Sequence, residues 1–328
     1  MRSIAANAIT LIIVLGVVIA SVVGFARQQV VRDGPLEEAR LFTVPRGASA
    51  DRVAEALAEE GIVTSAPLFR IAARYIESGR PIRFGEYEVP ARASMNEVLD
   101  LLRSGRVVQY SVTVPEGLTS WEIVELIRDV EVLSGEVGTL PPEGTLAPDT
   151  YSVTRGETRA QLIARMTALQ ADRLERAWAE RDDDLEIETP QEALILASLI
   201  EKETGVDEER GVIAGVFHNR LRRGMRLQTD PTIIYGITEG RGTFNRPIRR
   251  SDIDTPTPWN TYTIDGLPPT PIANPGFESI MAAVRPVETD ALYFVADGTG
   301  GHAFARTLDE HNRNVRAWRA IERQRAGQ

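Results

Sequence analysis

The sequence contains no cysteine, which excludes disulfide bonds and thiolate metal sites and leaves the redox compartment unmarked. Histidine is also rare. The chain has three, His218, His302 and His311, and their positions lack the spacing of a metal-ligand motif. We therefore expect no metal and no cofactor, and we interpret the histidines as structural or surface residues.

Basic side chains are outnumbered by acidic ones. Lysine and arginine together number 37 against 47 aspartates and glutamates, the net charge is −10, and Lys202 is the only lysine. Arginines cluster at 220–226 and 246–250, but such clusters are more often solvated faces than sites. A nucleic-acid surface would need a larger basic patch, so we expect no nucleic-acid partner.

Residues 8–26 form one long uncharged apolar run, AITLIIVLGVVIASVVGFA. A helix of ~19 residues spans roughly 28 Å, about the thickness of the hydrocarbon core of a bilayer. We predict a transmembrane anchor over 8–26, a cytoplasmic N-terminus over 1–7 and a linker over 27–40. The small residues Gly24 and Ala26 leave a cleaved signal peptide as the alternative. In either case, the rest of the chain is expected outside the cytoplasm.

The 328 residues are enough for two domains. We predict an α+β fold, with a small α+β module over 41–107 and a mixed α+β catalytic domain with long polar loops over 108–328. The segment FTVPRG at 42–47 predicts a strand and a turn before a helix capped by Ser49, and VTVPEG at 112–117 repeats it. The module resembles a LysM-like carbohydrate-binding unit, although strand–turn–helix is a common local arrangement.

Hydrophobic spacing predicts the other elements. Strands are expected at 41–44, 84–89 and 291–296, and helices at 50–60, 68–78, 94–103, 120–129, 157–181, 207–223, 277–284 and 307–325. Turn-forming residues predict loops over 143–151 and 238–276 and a turn at 298–301.

The most informative stretch is an apolar helix that begins at Pro190 and ends in Glu201-Lys202-Glu203. Residues three and four apart share a helix face, so Glu203 continues a bulky apolar face and Glu201 points about 200° away. Partial desolvation on the apolar face raises a carboxyl pKa and suits a general acid. The alternative is that both glutamates are solvated and only mark the end of a buried helix.

The polar loop that follows, over 254–276, is rich in proline, glycine, asparagine and threonine. Long loops within compact domains commonly line a site. Their amide and hydroxyl groups suit a polyhydroxylated ligand.

Several ordered motifs now point to a family. They are ASLIEKET at 197–204, NRL at 219–221, GMRLQTDPT at 224–232, TP at 255–256, NTY at 260–262, GLPP at 266–269, IANPG at 272–276 and YFV at 293–295. In this order they resemble the endolytic murein transglycosylases, the YceG-like family, over nearly the whole chain. The resemblance is looser over 28–110 and 239–249.

The resemblance implies a lyase that cuts peptidoglycan glycan strands internally and leaves 1,6-anhydroMurNAc ends. It acts outside the bacterial inner membrane, and peptidoglycan synthases are implied partners. One carboxylic acid first protonates the glycosidic oxygen and then accepts the proton of the C6 hydroxyl. Within the Glu-Lys-Glu-Thr motif we predict Glu203 for this role, with Glu201 as the alternative or a supporting residue.

Five further residues are predicted to bind the substrate: Gln228, Asp230, Asn260, Tyr262 and Asn274. Their alternative role is hydrogen bonding within their own loops. Two other functions remain open. One is a hydrolase acting on the same glycan with Asp230 as its second carboxylate. The other is a non-enzymatic wall-binding scaffold that uses the module at 41–107.

Overall fold

The computed structural model describes residues 2–75 and 80–326. It begins with helix α1 (Arg2–Val31), and within the described residues only its segment Ile9–Val31 is long and apolar enough to cross a membrane. Ile9, Leu11 and Ile12 of this segment are each more than half exposed. A continuous apolar surface of this size is stable in an apolar medium or against another chain, but not in water.

The chain divides into two compact units, of which the first comprises Met1–Tyr110, Val132–Ser134 and Ser152–Glu157. After α1 its elements are β1 (Arg40–Val44), α2 (Ala50–Glu59), α3 (Ala66–Tyr75), β2 (Gly85–Val89) and α4 (Met95–Ser104). β1 and β2 pair antiparallel, in register from Arg40 opposite Val89 to Val44 opposite Gly85.

The core of the first unit uses alternate strand residues and one face of each helix. Phe42 and Val44 are buried in β1, as the period of two requires. Ser49 caps α2 as predicted, because its hydroxyl accepts the Arg52 N–H. After α1 the unit therefore has the order strand, helix, helix, strand, helix. A LysM-like function for this unit stays a prediction.

The second unit comprises Ser111–Glu131, Gly135–Tyr151 and Thr158–Gln328. Its helices are α5 (Ser120–Arg128), α6 (Arg159–Ala179), α7 (Pro190–Glu203), α8 (Arg210–Arg222), α9 (Asp230–Thr238), α10 (Arg250–Asp254), α11 (Phe277–Val284) and α12 (Leu308–Ala326). Strands β3 (Gln109–Thr113) and β4 (Thr150–Thr154) form one two-stranded sheet, and β5 (Tyr293–Ala296) and β6 (His302–Ala305) form another. The described chain is thus a mixed α+β protein.

Helix α7 is the centre of the second unit. Its residues 193–200 are all buried, and it packs against α6, α8, α9 and α11. A helix that is apolar on every side is stable only in a protein interior or a membrane. Its start is defined by Pro190 in the first turn and by a capping box between Thr189 and Glu192.

The buried hydroxyl of Ser198 attaches the proline-rich loop to α7. It donates to the Ile195 carbonyl at 2.7 Å and accepts the Ile272 N–H at 3.0 Å. The loop is therefore held against the same helix that carries the two glutamates.

Some predicted loops contain regular structure. β4 extends beyond the predicted 143–151 loop, α10 lies inside the predicted 238–276 loop, and β6 follows the predicted turn. α9 is rich in β-branched residues, which disfavour helix, yet Pro231 suits its first turn and Ile233 is buried. Packing therefore overrides local propensity there.

Two predicted helices differ in their bounds. The helix predicted over 207–223 begins with a 3-10 turn, Asp207–Glu209, before α8. α3 begins at Ala66, two residues ahead of the prediction, and the predicted end at 78 lies outside the described residues.

Candidate active site

Glu203 is the last residue of α7, and its side chain lines a cavity of about 420 Å³. The residue is half-buried, and protein atoms surround its carboxyl. Burial raises the pKa of Glu203 to about 6; the charge of Asp230 also raises it, while the Thr229 hydrogen bond opposes this shift. Such a carboxyl is partly protonated near neutral pH and can serve as a general acid.

Three buried threonines orient the donor to that carboxyl. The Thr229 hydroxyl donates to Glu203 Oε1, and the Thr229 N–H donates to Thr261 Oγ1 at 3.0 Å. The Thr232 hydroxyl donates to the Thr229 carbonyl at 2.6 Å and contacts Thr261 Oγ1 at 2.9 Å. Since Thr232 has a single hydroxyl hydrogen, Thr261 donates in that last contact. The direction of each hydroxyl is therefore set.

Asp230 and Tyr262 lie on the same cavity as Glu203. The Tyr262 hydroxyl donates to Asp230 Oδ1 at 2.6 Å. Burial and this hydrogen bond raise the pKa of Tyr262, so the phenol remains a donor at neutral pH. The structure thus brings two of the predicted substrate-binding residues together with the predicted acid.

Gln228 also lines the cavity. Its backbone lies in the left-handed region, with φ of 51°, and its N–H donates to the Thr261 carbonyl at 3.3 Å. A non-glycine residue is strained in this conformation, and such strain is concentrated at functional sites.

Arg220 of α8 shapes the wall beside Glu203. Its Nε donates to the Leu292 carbonyl at 2.6 Å, and its Nη1 donates to the carbonyls of Arg226 and Leu227 at 3.1 and 2.9 Å. Its guanidinium also lies over the Tyr293 ring, 5.2 Å from the centroid. A lysine cannot reproduce this planar set of donors.

His302, the first residue of β6, adds an imidazole to the cavity wall. Its Nδ1 lies 2.6 Å from Glu209 Oε2, and its backbone N–H donates to Glu209 Oε1 at 2.8 Å. The spacing of the three histidines predicts only a structural or surface role for His302. The glycine-rich turn at 298–301 is its only local signal in the sequence, and that signal predicts a turn and not a site.

The rest of the cavity wall is largely apolar and aromatic. It is formed by Leu227, Tyr293, Phe294, Val295, Ala296, Leu308, His311 and Val315. His311 stacks on Tyr293 with ring centroids 5.2 Å apart. Over the described part of the chain, no group of His, Asp and Glu residues could hold a metal ion. The site is thus a partly apolar cleft with two carboxyls, of which Glu203 has a raised pKa, and several fixed hydrogen-bonding groups.

A sequence model of the YceG-like family matches residues 42–317. The chain belongs to the YceG-like family. The resemblance predicted from the motifs is thereby confirmed.

Two relatives of this YceG-like protein carry the same name. An "Endolytic murein transglycosylase" of Bacillus subtilis (strain 168) is 28% identical over 303 residues, covering 83% of this chain and 82% of that protein. One from Streptococcus pneumoniae (strain D39) is 29% identical over 321 residues, covering 83% of this chain. This chain spans 57% of the length of the streptococcal protein.

A solved structure agrees with the family assignment. The crystal structure of a yceG-like protein from Listeria monocytogenes matches with a TM-score of 0.53 at 27% identity. The match covers 84% of this chain and 98% of that one.

Glu201 lies on the other side of the same helix end in this YceG-like fold. Its Oε2 accepts the Gly276 N–H at 3.1 Å and the Ser279 hydroxyl at 2.7 Å. Both donors belong to the start of α11, where a carboxylate is favourable. These contacts favour a supporting role for Glu201.

Asn260 points into its own loop. Its Nδ2 donates to the carbonyls of Ile253 and Thr255 at 3.0 and 2.7 Å, and its Oδ1 accepts the Tyr262 N–H at 3.0 Å. The residue is buried. Its amide is therefore occupied by the protein, which favours the alternative of loop-internal hydrogen bonding.

Asn274 is likewise buried and lies outside the cavity wall. Its Oδ1 accepts the Leu146 N–H at 2.8 Å, while its Nδ2 contacts the Leu118 carbonyl, Ser120 Oγ and Glu143 Oε1, each at 3.1 Å. The protein itself uses the whole amide, which favours a structural role, and the predicted substrate contact stays a prediction. Asn274 instead joins three segments of the second unit.

Proposed function

We propose that this chain is a lytic transglycosylase that cuts peptidoglycan glycan strands internally, with Glu203 as its general acid. The observation that carries this proposal is the carboxyl of Glu203, whose pKa of about 6 places both its protonation states near neutral pH at the edge of a sugar-sized cleft. The names of the relatives support the substrate class.

Glu203 can serve both proton transfers of this reaction. In its neutral form it donates a proton to the oxygen of the MurNAc–GlcNAc bond while the bond from C1 to that oxygen breaks. The resulting carboxylate accepts the proton of the C6 hydroxyl while the C6 oxygen bonds to C1. A 1,6-anhydroMurNAc end forms, no water is consumed, and Glu203 returns to its starting form.

The neighbouring groups suit the charges of that reaction. The positive charge that develops at C1 is stabilised by a nearby carboxylate, and Asp230 supplies one on the same cavity. Tyr262 holds Asp230 in place through its 2.6 Å hydrogen bond. Gln228 supplies an amide for the N-acetyl or hydroxyl groups of the substrate. Asn260 and Asn274 support the loops and make no contact with the glycan.

A hydrolase acting on the same glycan is the second candidate, because Asp230 is a second carboxylate on the cavity. Hydrolases place their carboxyls about 5–5.5 Å apart when retaining and roughly 6.5–9.5 Å apart when inverting. The hydrogen bond from Tyr262 supports a positioning role for Asp230 instead of a nucleophilic one. The products discriminate, since a hydrolase adds one water molecule to each new end.

We also propose that α1 anchors the protein in the cytoplasmic membrane, with residues 1–7 inside and the chain after α1 outside. The exposed apolar side chains of Ile9–Val31 support this, and ~23 helical residues span about 35 Å. Peptidoglycan synthases in the same membrane are the expected partners. Mass measurement of the mature N-terminus separates an anchor from a cleaved signal peptide.

The test of the reaction compares Glu203→Gln with Glu201→Gln, two equal changes at the end of one helix. Each variant is incubated with uncrosslinked glycan strands, and the products are identified by mass spectrometry. We expect Glu203→Gln to form no anhydro ends while keeping its fold by circular dichroism, and Glu201→Gln to keep forming them. Full activity of folded Glu203→Gln would refute the assignment.

A further inference from the structure

The two nitrogens of His302 have different environments. Nδ1 lies 2.6 Å from Glu209 Oε2. A carboxylate only accepts hydrogen bonds, so Nδ1 carries a hydrogen in this contact, and in the uncharged ring this is the single N–H hydrogen. The other carboxylate oxygen accepts the backbone N–H of the same histidine at 2.8 Å. Both oxygens of Glu209 therefore contact His302, and Oε2 also accepts from the Thr204 hydroxyl at 3.5 Å. The contact at Nδ1 sets the tautomer of the ring.

In this tautomer, Nε2 holds a lone pair and acts as an acceptor. No other residue of the described chain forms a hydrogen bond with Nε2. The ring lies between Phe294 and Phe304, with centroid distances of 5.4 and 6.4 Å, and it lines the cavity that Glu203 lines. Nε2 is thus an unused acceptor on a ring that faces the site.

The contact between Glu209 and His302 is built into the hairpin of β5 and β6. A Cβ atom on Gly301 would lie 2.5 Å from Glu209 Oε1, so a residue without a side chain lets the carboxylate reach the His302 N–H. The two side chains are only 15% and 17% exposed. Glu209 is therefore not part of a loose surface ion pair, which would orient an imidazole poorly.

We propose that the Glu209–His302 pair is a fixed hydrogen-bond acceptor for the glycan strand. His302 Nε2 receives an O–H or N–H group of a sugar and holds the strand against Glu203, while Glu209 keeps the ring in the accepting tautomer. This role rests on the proposed function of the cavity. It requires no proton transfer through the histidine.

The matched variants are His302→Gln and His302→Asn. A glutamine amide oxygen reaches the position of Nε2 and can accept from the sugar, whereas an asparagine amide reaches only the position of Nδ1 and contacts Glu209. We expect Asn to weaken glycan binding about tenfold, the equivalent of one lost hydrogen bond. We expect Gln to restore most of that affinity. A structural role for His302 predicts the reverse order.

Binding is measured by calorimetry with an uncrosslinked glycan fragment, with all variants in the Glu203→Gln background so that the ligand stays intact. His218→Gln is the control. His218 Nδ1 accepts the Glu186 N–H at 3.2 Å and its Nε2 contacts the Ala283 carbonyl at 2.9 Å, away from the cavity. We expect this control to lower the melting temperature without changing affinity. If His302→Asn in this background binds the fragment as tightly as Glu203→Gln alone, the proposal is overturned.

Glu209→Gln provides a second measurement that keeps the histidine. Glutamine has one acceptor oxygen where Glu209 has two. Because the His302 backbone N–H needs an acceptor, the amide NH₂ faces Nδ1 and the imidazole hydrogen moves to Nε2. ¹⁵N NMR of the imidazole reads this tautomer directly. Weaker binding with the switched tautomer supports the proposal, and unchanged binding or an unswitched tautomer overturns it.

These results separate the proposal from the proposed function. If the unmutated enzyme forms no anhydro ends, the transglycosylase assignment fails, whatever the role of His302. If anhydro ends form and His302→Asn binds glycan like the parent, only the role of the Glu209–His302 pair fails.

Discussion

The hydroxyl of Thr229 donates a hydrogen bond to Oε1 of Glu203, a residue 26 positions earlier in the chain. A donor to a carboxylate stabilises the ionised form, so this contact lowers the pKa that burial raises. The pKa of about 6 is therefore a balance between desolvation and one well-oriented hydroxyl. Each side of the balance can be changed separately.

Thr229→Val removes the donor and keeps the shape of the side chain. The pKa of Glu203 then rises, and the alkaline limb of the activity profile moves to higher pH by about 0.5–1 unit, the equivalent of one hydrogen bond. The measurement is kcat/KM against pH. Thr229→Ser retains the hydroxyl and should return the limb to its original position. If the alkaline limb of Thr229→Val does not move, the hydrogen bond from Thr229 does not influence the pKa of Glu203.

Glu203→Gln should change stability in a pH-dependent way. The folded-state pKa of Glu203, about 6, lies above the ordinary value of 4.5, so its contribution to stability is full below pH 4.5 and is lost as pH rises through 6. Glutamine has no such loss. The variant should therefore gain up to about 2 kcal/mol relative to the parent between pH 4.5 and 7. Urea unfolding at both pH values checks this, and a difference independent of pH would contradict it.

Asp230→Asn should shift activity without abolishing it. The negative charge of Asp230 raises the pKa of Glu203, so its removal lowers that pKa and moves the alkaline limb to lower pH. We expect lower activity at every pH, because the charge at C1 loses its carboxylate, a further loss at pH 7, and the same anhydro products. A complete loss of turnover, together with parent products that carry an added water, would instead establish the hydrolase. Tyr262→Phe removes the hydrogen bond that positions Asp230 and keeps its charge. Comparison with Asp230→Asn therefore separates the effect of position from the effect of charge.

Asn274→Ala should act on stability. The substitution leaves the buried Leu146 N–H without its acceptor and removes the amide donor to Ser120 and Glu143, which should cost about 3 kcal/mol of unfolding free energy. Activity per folded molecule should be retained, since the amide lies outside the cavity wall. Calorimetry and active-site titration separate the two effects. Lost turnover at an unchanged melting temperature would return Asn274 to the list of substrate-binding residues.

The sequence was most informative where local chemistry decides structure. The start of α7 follows from Thr189, Pro190 and Glu192, and the opposite directions of its two glutamates follow from helix geometry alone. Glu201 indeed contacts α11 while Glu203 lines the cavity. Such features need no knowledge of distant residues.

Other features depend on contacts that only the fold creates. Glu209 and His302 are 93 positions apart, and neither residue carries a local signal of the other. Asn260 and Tyr262 are two residues apart in one polar loop, yet one side chain turns into the loop and the other to the cavity. Composition predicts that such a loop lines a site, but it does not predict which side chains do.

The 14-residue length of α7 restricts which insertions and deletions the protein can tolerate. Its first turn is set by Thr189 and its middle is enclosed on every side, so the helix cannot slide or rotate. One inserted residue would turn Glu203 by about 100° and advance it by ~1.5 Å, away from Thr229. Apolar exchanges within α7 should therefore survive selection far more often than insertions or deletions. The length of α7 therefore fixes the position of Glu203 as firmly as its contacts with Thr229 do.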